Sequence, residues 1–150
     1  MSVDATLLDI VGTPYEATIE RGRIRQFANA IGEHDPVHHD VAAARAAGHP
    51  DLVAPLTFLF GLELEQSDVF DVLAGYGVQI SQILHGEQRF RCYAMVHAGD
   101  EVTFTSSYQD VYSKAGGKLD FVVRRTDVRR GDELVAQLES TTVIKNGASA

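Results

Sequence analysis

The chain has 150 residues, 45 % of them hydrophobic and 23 % charged, with a formal net charge of −8. That length holds one domain with a proper core, and the acidic balance argues against a nucleic-acid binder, which needs a basic face. No apolar run is long enough to span a bilayer, and the single Cys92 cannot form an internal disulfide. Met1-Ser2-Val3-Asp4 lacks the basic start and apolar core of a secretory signal, so a cytoplasmic protein is expected.

Residues 1–150 read as one domain, with 1–13 and 146–150 as loose ends. Tyr15 to Ile19 alternates and predicts a short strand. Ile24, Phe27, Ala28 and Ile31 recur at helical spacing, which predicts an amphipathic helix over Glu20–Ile31 that Gly32 terminates. Gly32 to Asp40 then packs three acids and three histidines into nine residues, the densest set of proton-moving groups in the chain. Asp40 reads as the N-cap of an alanine-rich helical turn, Val41–Ala47, closed by Gly48.

The most apolar stretch follows. Pro55 suits a first helical position, and Glu63, Glu65 and Gln66 suit a helix emerging into water, so Pro55–Gln66 is predicted as a central, largely buried helix. Ser67 to Ala74 forms a second short helix stopped by Gly75.

After Gly77 the pattern becomes period two. In Gln88–Val96 one face carries Phe90, Cys92, Ala94 and Val96. His97-Ala98-Gly99-Asp100 reads as a turn into a strand marked by Val102, Phe104, Ser106 and Tyr108. Ala115-Gly116-Gly117 turns into a third strand at Leu119, Phe121 and Val123, and a fourth follows at Leu134, Ala136 and Leu138. Three successive hairpin-like connections predict an antiparallel meander. Arg89, Arg91, Arg124, Arg125, Arg129 and Arg130 read as a solvated sheet face, with a phosphate-bearing carrier as the alternative partner. The economical arrangement is an α+β domain in which the sheet curls around the apolar helix, since neither buries itself alone.

That arrangement is the hot-dog fold, and the charged loop makes the chain resemble the MaoC-like (R)-specific enoyl-thioester hydratases and dehydratases, in their N-terminal dehydratase-domain branch. The family signature Gly-Asp-x-Asn-Pro-Leu/Ile-His-x-Asp is matched by Gly32-Glu33-His34-Asp35-Pro36-Val37-His38-His39-Asp40. Val53-Ala54-Pro55-Leu56-Thr57-Phe58, His85-Gly86-Glu87-Gln88 and Val96-His97-Ala98-Gly99-Asp100 are similar to further segments of that family. The family's catalytic Asp is Glu33 here and its Asn is Asp35; the catalytic His is kept as His38. The His-Gly often found where the central helix begins is Ala54-Pro55, and proline has no N–H to offer.

The resemblance implies a hydro-lyase acting on (R)-3-hydroxyacyl or enoyl thioesters of coenzyme A or acyl carrier protein, with no metal or cofactor. It implies Glu33 and His38 as the acid–base pair, with Asp35 as the substitute carboxylate. Substrate contacts are implied at Pro55, Leu56, Thr57, His85 and Gly86, and Leu56 is the expected oxyanion donor at a helix N-terminus. A homodimer, or a heterodimer with a second hot-dog chain, is also implied. An inactive acyl-binding subunit and a hot-dog thioesterase are the alternatives. A zinc site on His34, His38, His39 and Asp35 is the weakest reading, because adjacent loop histidines seldom make a designed site.

Overall fold

The computed structural model describes residues 3–147. Period-two alternation produces the expected strands, most of them longer than their apolar signal: β1 Tyr15–Thr18, β2 Ile83–Cys92, β3 Glu101–Lys114, β4 Leu119–Arg130 and β5 Glu133–Lys145. They form one antiparallel sheet in the order β1-β3-β4-β5-β2. The β3–β4 hairpin turns on Ala115, Gly116 and Gly117, all three at positive φ, and the β4–β5 hairpin on Gly131.

The predicted meander holds for β3, β4 and β5 and fails for β2. Instead of lying beside β3, β2 pairs with β5 at the far edge. The turn His97–Asp100 forms, with the Asp100 N–H donating to the His97 carbonyl at 3.1 Å, but it ends a crossing segment rather than a hairpin. That segment is pinned over the sheet end: Tyr93 N–H donates to Val135 O, Ala54 N–H to Val96 O and Ala98 N–H to Leu52 O. Alternation specifies which face a residue occupies and says nothing about the neighbouring strand. The strand itself also shifts, from the expected Gln88–Val96 to Ile83–Cys92.

Helix α1, Arg21–Ala30, buries Ile24 and Ala28, while Ile31 falls beyond its end and is exposed. Helix α2, Val41–Ala46, is capped as expected: the Asp40 carboxylate accepts from Ala42 N–H at 2.7 Å and Ala43 N–H at 3.2 Å. The central helix α3 runs Phe58–Gln66, three residues shorter than predicted, because Pro55-Leu56-Thr57 form the turn that leads into it. Helix α4, Val69–Gly75, follows directly.

The main core joins Phe58, Leu59 and Leu62 of α3 to inward residues of the sheet, among them Phe104, Val128, Val135 and Leu138. This is the α+β arrangement expected, a helix held in a curled sheet. A second core corrects the reading of 1–13 as loose for residues 3–13, while 1–2 lie outside the described residues. Val3 and Leu7 are both 0 % exposed, set by a tight turn at Ala5–Asp9, and pack with Leu73, Tyr108, Val122 and Ile144. Asn146 is also tied in, its N–H donating to Lys118 O at 2.8 Å; 148–150 lie outside the described residues.

Two further corrections concern charge. Glu63 does not emerge into water: it is 3 % exposed. Its partner Arg124, 5 % exposed, leaves the expected solvated arginine face and points into the core.

Candidate active site

The loop after α1 folds through local backbone bonds. Gly32, at φ 71, ends the helix, and Glu33 N–H reaches back to Ala28 O at 2.8 Å. The Asp35 carboxylate then accepts from Val37 N–H at 3.1 Å and starts the short turn Pro36–His38. His38 stands at the end of this turn, half-buried.

One bond decides the chemistry of His38. Its Nδ1 lies 2.7 Å from the carbonyl oxygen of Val53, which can only accept, so Nδ1 carries a proton and Nε2 is the nitrogen that gains or loses one. Val53 is itself fixed by donating its N–H to Val37 O at 3.0 Å and by bridging to His97.

The other titratable groups of the loop separate by role. Asp35 and Asp40 cap turns. His39 ties the loop down, its Nε2 2.7 Å from Glu33 O while its own carbonyl accepts from Arg25 Nε at 2.8 Å. His34 is exposed. Among the described residues no three His, Cys, Asp or Glu side chains converge as a metal site.

Glu33 and His38 line one cavity of about 420 Å³ together with Pro55, Leu56 and Thr57. Its remaining walls are mainly apolar, including Leu59, Ala94, Val96 and Ala136. Cys92 is also there, exposed overall, and the desolvation of its thiol pushes the thiol pKa up. Glu33 Oε1 accepts from Asp35 N–H at 3.0 Å. The N–H groups of Leu56 and Thr57 find no acceptor among the described residues, in the turn leading into the N-terminus of α3, where the helix dipole favours negative charge.

The expected residues are therefore only partly brought together. Glu33, His38, Pro55, Leu56 and Thr57 share the cavity. The Asp35 side chain is taken up by its cap. His85 lines a different cavity of about 300 Å³, farther along α3, with Phe60, Glu63, Leu64 and Arg124. Gly86 is the extra residue of a β-bulge between His85 and Glu87; a Cβ there would meet Val143 Cγ2 at 2.8 Å and Thr141 O at 2.9 Å. The bulge resets the strand's alternation, so His85 shares a face with Phe90 and its ring meets that of Phe60 in a T-shaped contact, 5.5 Å between centroids.

The buried Glu63–Arg124 pair has no counterpart in the sequence reading. Arg124 Nη1 donates to Glu63 Oε1 at 2.8 Å and Nη2 to Ser106 Oγ at 2.8 Å, and Thr126 Oγ1 also donates to Glu63. Burial pushes the Glu63 carboxyl pKa up, against the pull of Thr126 and Arg124. The signal was present in the alternation of β4, where Val122, Arg124, Thr126 and Val128 share the inward face.

A family profile described as "FAS1-like, dehydratase domain region" matches residues 9–138. The chain belongs to this FAS1-like dehydratase family. The UPF0336 protein of Saccharopolyspora erythraea is 33 % identical over 143 residues, spanning 92 % of this dehydratase-family chain and 90 % of its own. Among solved structures, the C-terminally truncated HadBC complex of Mycobacterium tuberculosis, a (3R)-hydroxyacyl-ACP dehydratase, is 30 % identical. It superposes with a TM-score of 0.76 over 89 % of this chain and 94 % of that one. The ChsH1–ChsH2 complex of the same organism shares the fold, with a TM-score of 0.76 at 23 % identity over 97 % and 95 % of the two chains. No helix of the described residues is long and apolar enough to cross a membrane.

Proposed function

We propose that this chain is a hydro-lyase of cytoplasmic acyl-thioester metabolism, interconverting (R)-3-hydroxyacyl and enoyl thioesters of coenzyme A or acyl carrier protein. The observation that carries this reading is that Glu33 and His38 line one apolar cavity with Leu56 and Thr57, whose N–H groups find no acceptor among the described residues in the turn leading into α3. In hydration, the Glu33 carboxylate takes a proton from water as its oxygen adds to the carbon beyond the thioester α-carbon. Protonated His38 delivers a proton from Nε2 to the α-carbon, and dehydration is the reverse. Val53 O holds Nδ1–H throughout, so only Nε2 cycles. Leu56 and Thr57 N–H stabilise the thioester oxygen while it carries negative charge.

A second hot-dog chain, identical or not, fits the outer edge of β2. That strand runs ten residues with its outer side unpaired among the described residues, and Cys92 at its end lines the cavity wall, so a partner seated there would close the cavity.

Two observations favour a second reading, in which this chain holds the acyl group while its partner moves the protons. Glu33 Oε1 is engaged by Asp35 N–H, and the buried Pro55 offers no N–H to the cavity. HadBC and ChsH1–ChsH2 are complexes of two different chains.

The test is hydration of a crotonyl thioester by the purified chain, alone and co-expressed with a candidate hot-dog partner. Turnover by the chain alone supports the first reading. Turnover only with the partner, insensitive to His38→Ala, supports the second. Release of free thiol marks a thioesterase, and neither turnover nor binding of any acyl thioester rejects the proposal.

A further inference from the structure

The Glu33–His38 cavity and the His85 cavity lie along the same seam between α3 and the inner face of β5 and β2. One face of β5 runs past both. Ala136, Leu138, Ser140 and Thr142 occupy one face of β5; Ala136 lines the first cavity, Ser140 and Thr142 the second. Along α3 and the turn before it the same order holds, with Thr57 and Leu59 in the first cavity and Phe60 and Leu64 in the second. What separates the two is a partition. Phe90 stands opposite Leu138, and the Phe60 ring meets the Phe90 ring edge-on at 6.3 Å and the His85 ring at 5.5 Å.

We infer that Phe60 is a specificity residue: it divides one acyl groove into two compartments and so limits the length of chain the site accepts. This rests on the acyl-thioester reading of the cavity. Phe60 is only half-buried and lines the second cavity but not the first, and its ring meets that of Phe90, which lines neither, so the two rings together stand between the cavities. Beyond it the second compartment is suited to hydrocarbon. Leu64, Leu73, Ile80 and Ile83 line it, and its two charged residues, Glu63 and Arg124, are paired with each other. A short acyl group fits the first compartment with the thioester at the start of α3. A long one must displace the Phe60 ring to reach the second.

The experiment uses the full chain, with its partner if turnover requires one, and compares wild type with Phe60→Ala, Phe60→Leu and Phe60→Trp on enoyl-coenzyme A thioesters from crotonyl to hexadecenoyl. Phe60→Ala is expected to raise the ratio of kcat/KM for the hexadecenoyl ester to that for crotonyl by about tenfold or more, and Phe60→Trp to lower it. Phe60→Leu, which keeps an apolar side chain without the ring, gives an intermediate profile and covers the case in which the alanine variant does not fold. Calorimetric titration with butyryl- and palmitoyl-coenzyme A reads the same preference without turnover. An unchanged long-to-short ratio in a folded variant overturns the inference while leaving the acyl-thioester reading intact. Absence of binding by any acyl thioester overturns both.

Discussion

Arg124→Met is expected to destabilise the protein severely, because it strands the Glu63 carboxyl inside the core. Both side chains are nearly sealed, 5 % and 4 % exposed, and a bond of 2.8 Å joins them beneath α3. Removing one partner of such a buried pair costs about 3–5 kcal/mol, more than the pair contributes relative to an apolar replacement. For a domain of this size each kcal/mol moves Tm by about 2–4 °C, so a fall of roughly 6–20 °C follows. The loss depends on pH in a definite direction. A buried carboxyl without its cation has a folded-state pKa above the ordinary 4.5, so the variant is least impaired below that value and loses stability as pH rises. The double variant Glu63→Leu/Arg124→Met removes both charges and should recover most of the loss. Urea and thermal unfolding followed by circular dichroism compare wild type with Arg124→Met, Glu63→Leu and the double variant. Single variants within about 1 kcal/mol of wild type, or a double variant showing the sum of two large losses, would refute the reasoning.

Two other predictions concern the frame of the site. Gly86→Ala places a methyl group against the Thr141 carbonyl, which cannot yield as a side chain would, and should cost about 1–3 kcal/mol in urea unfolding; a neutral result would remove the bulge as a constraint. His97, largely buried, has its Nε2 3.2 Å from His49 Nδ1 and also faces Asp100, Arg130 and Asp51; burial holds its pKa below the ordinary 6.5. The unfolded chain then binds the proton more readily, so stability is full above that value and falls as pH drops through it. His97→Gln should flatten this slope, and an unchanged slope would contradict it.

Much of the fold was legible because it rests on periodicity. The alternation of Val102, Phe104, Ser106 and Tyr108 marks β3 unambiguously, and Asp40 before an alanine run is a cap by composition. The position of β2 was not legible, because pairing β2 with β5 depends on backbone bonds made by residues 93–98 with distant segments. Nor was Glu63. In isolation it resembles any glutamate near the end of a helix, and only the register that sets Arg124 and Thr126 opposite it makes it internal. Within the charged loop, proximity in sequence overstated the number of functional groups. Asp35 and Asp40 cap turns, His39 ties the loop down and His34 is exposed, so only Glu33 and His38 of the six line the cavity. The motif His85-Gly86 marks a strand irregularity whose purpose appears only once its neighbours are known: the glycine lets Thr141 and Val143 approach, and His85 turns toward Phe60.

The most direct test of the catalytic reading is the kcat of His38→Ala for hydration of a crotonyl thioester, in whichever assembly shows wild-type turnover. Loss of the Nε2 proton carrier should lower kcat by about 10²–10⁴-fold, with Tm and acyl-thioester binding retained. Full activity in that variant would contradict the account and pass the proton chemistry to a partner chain.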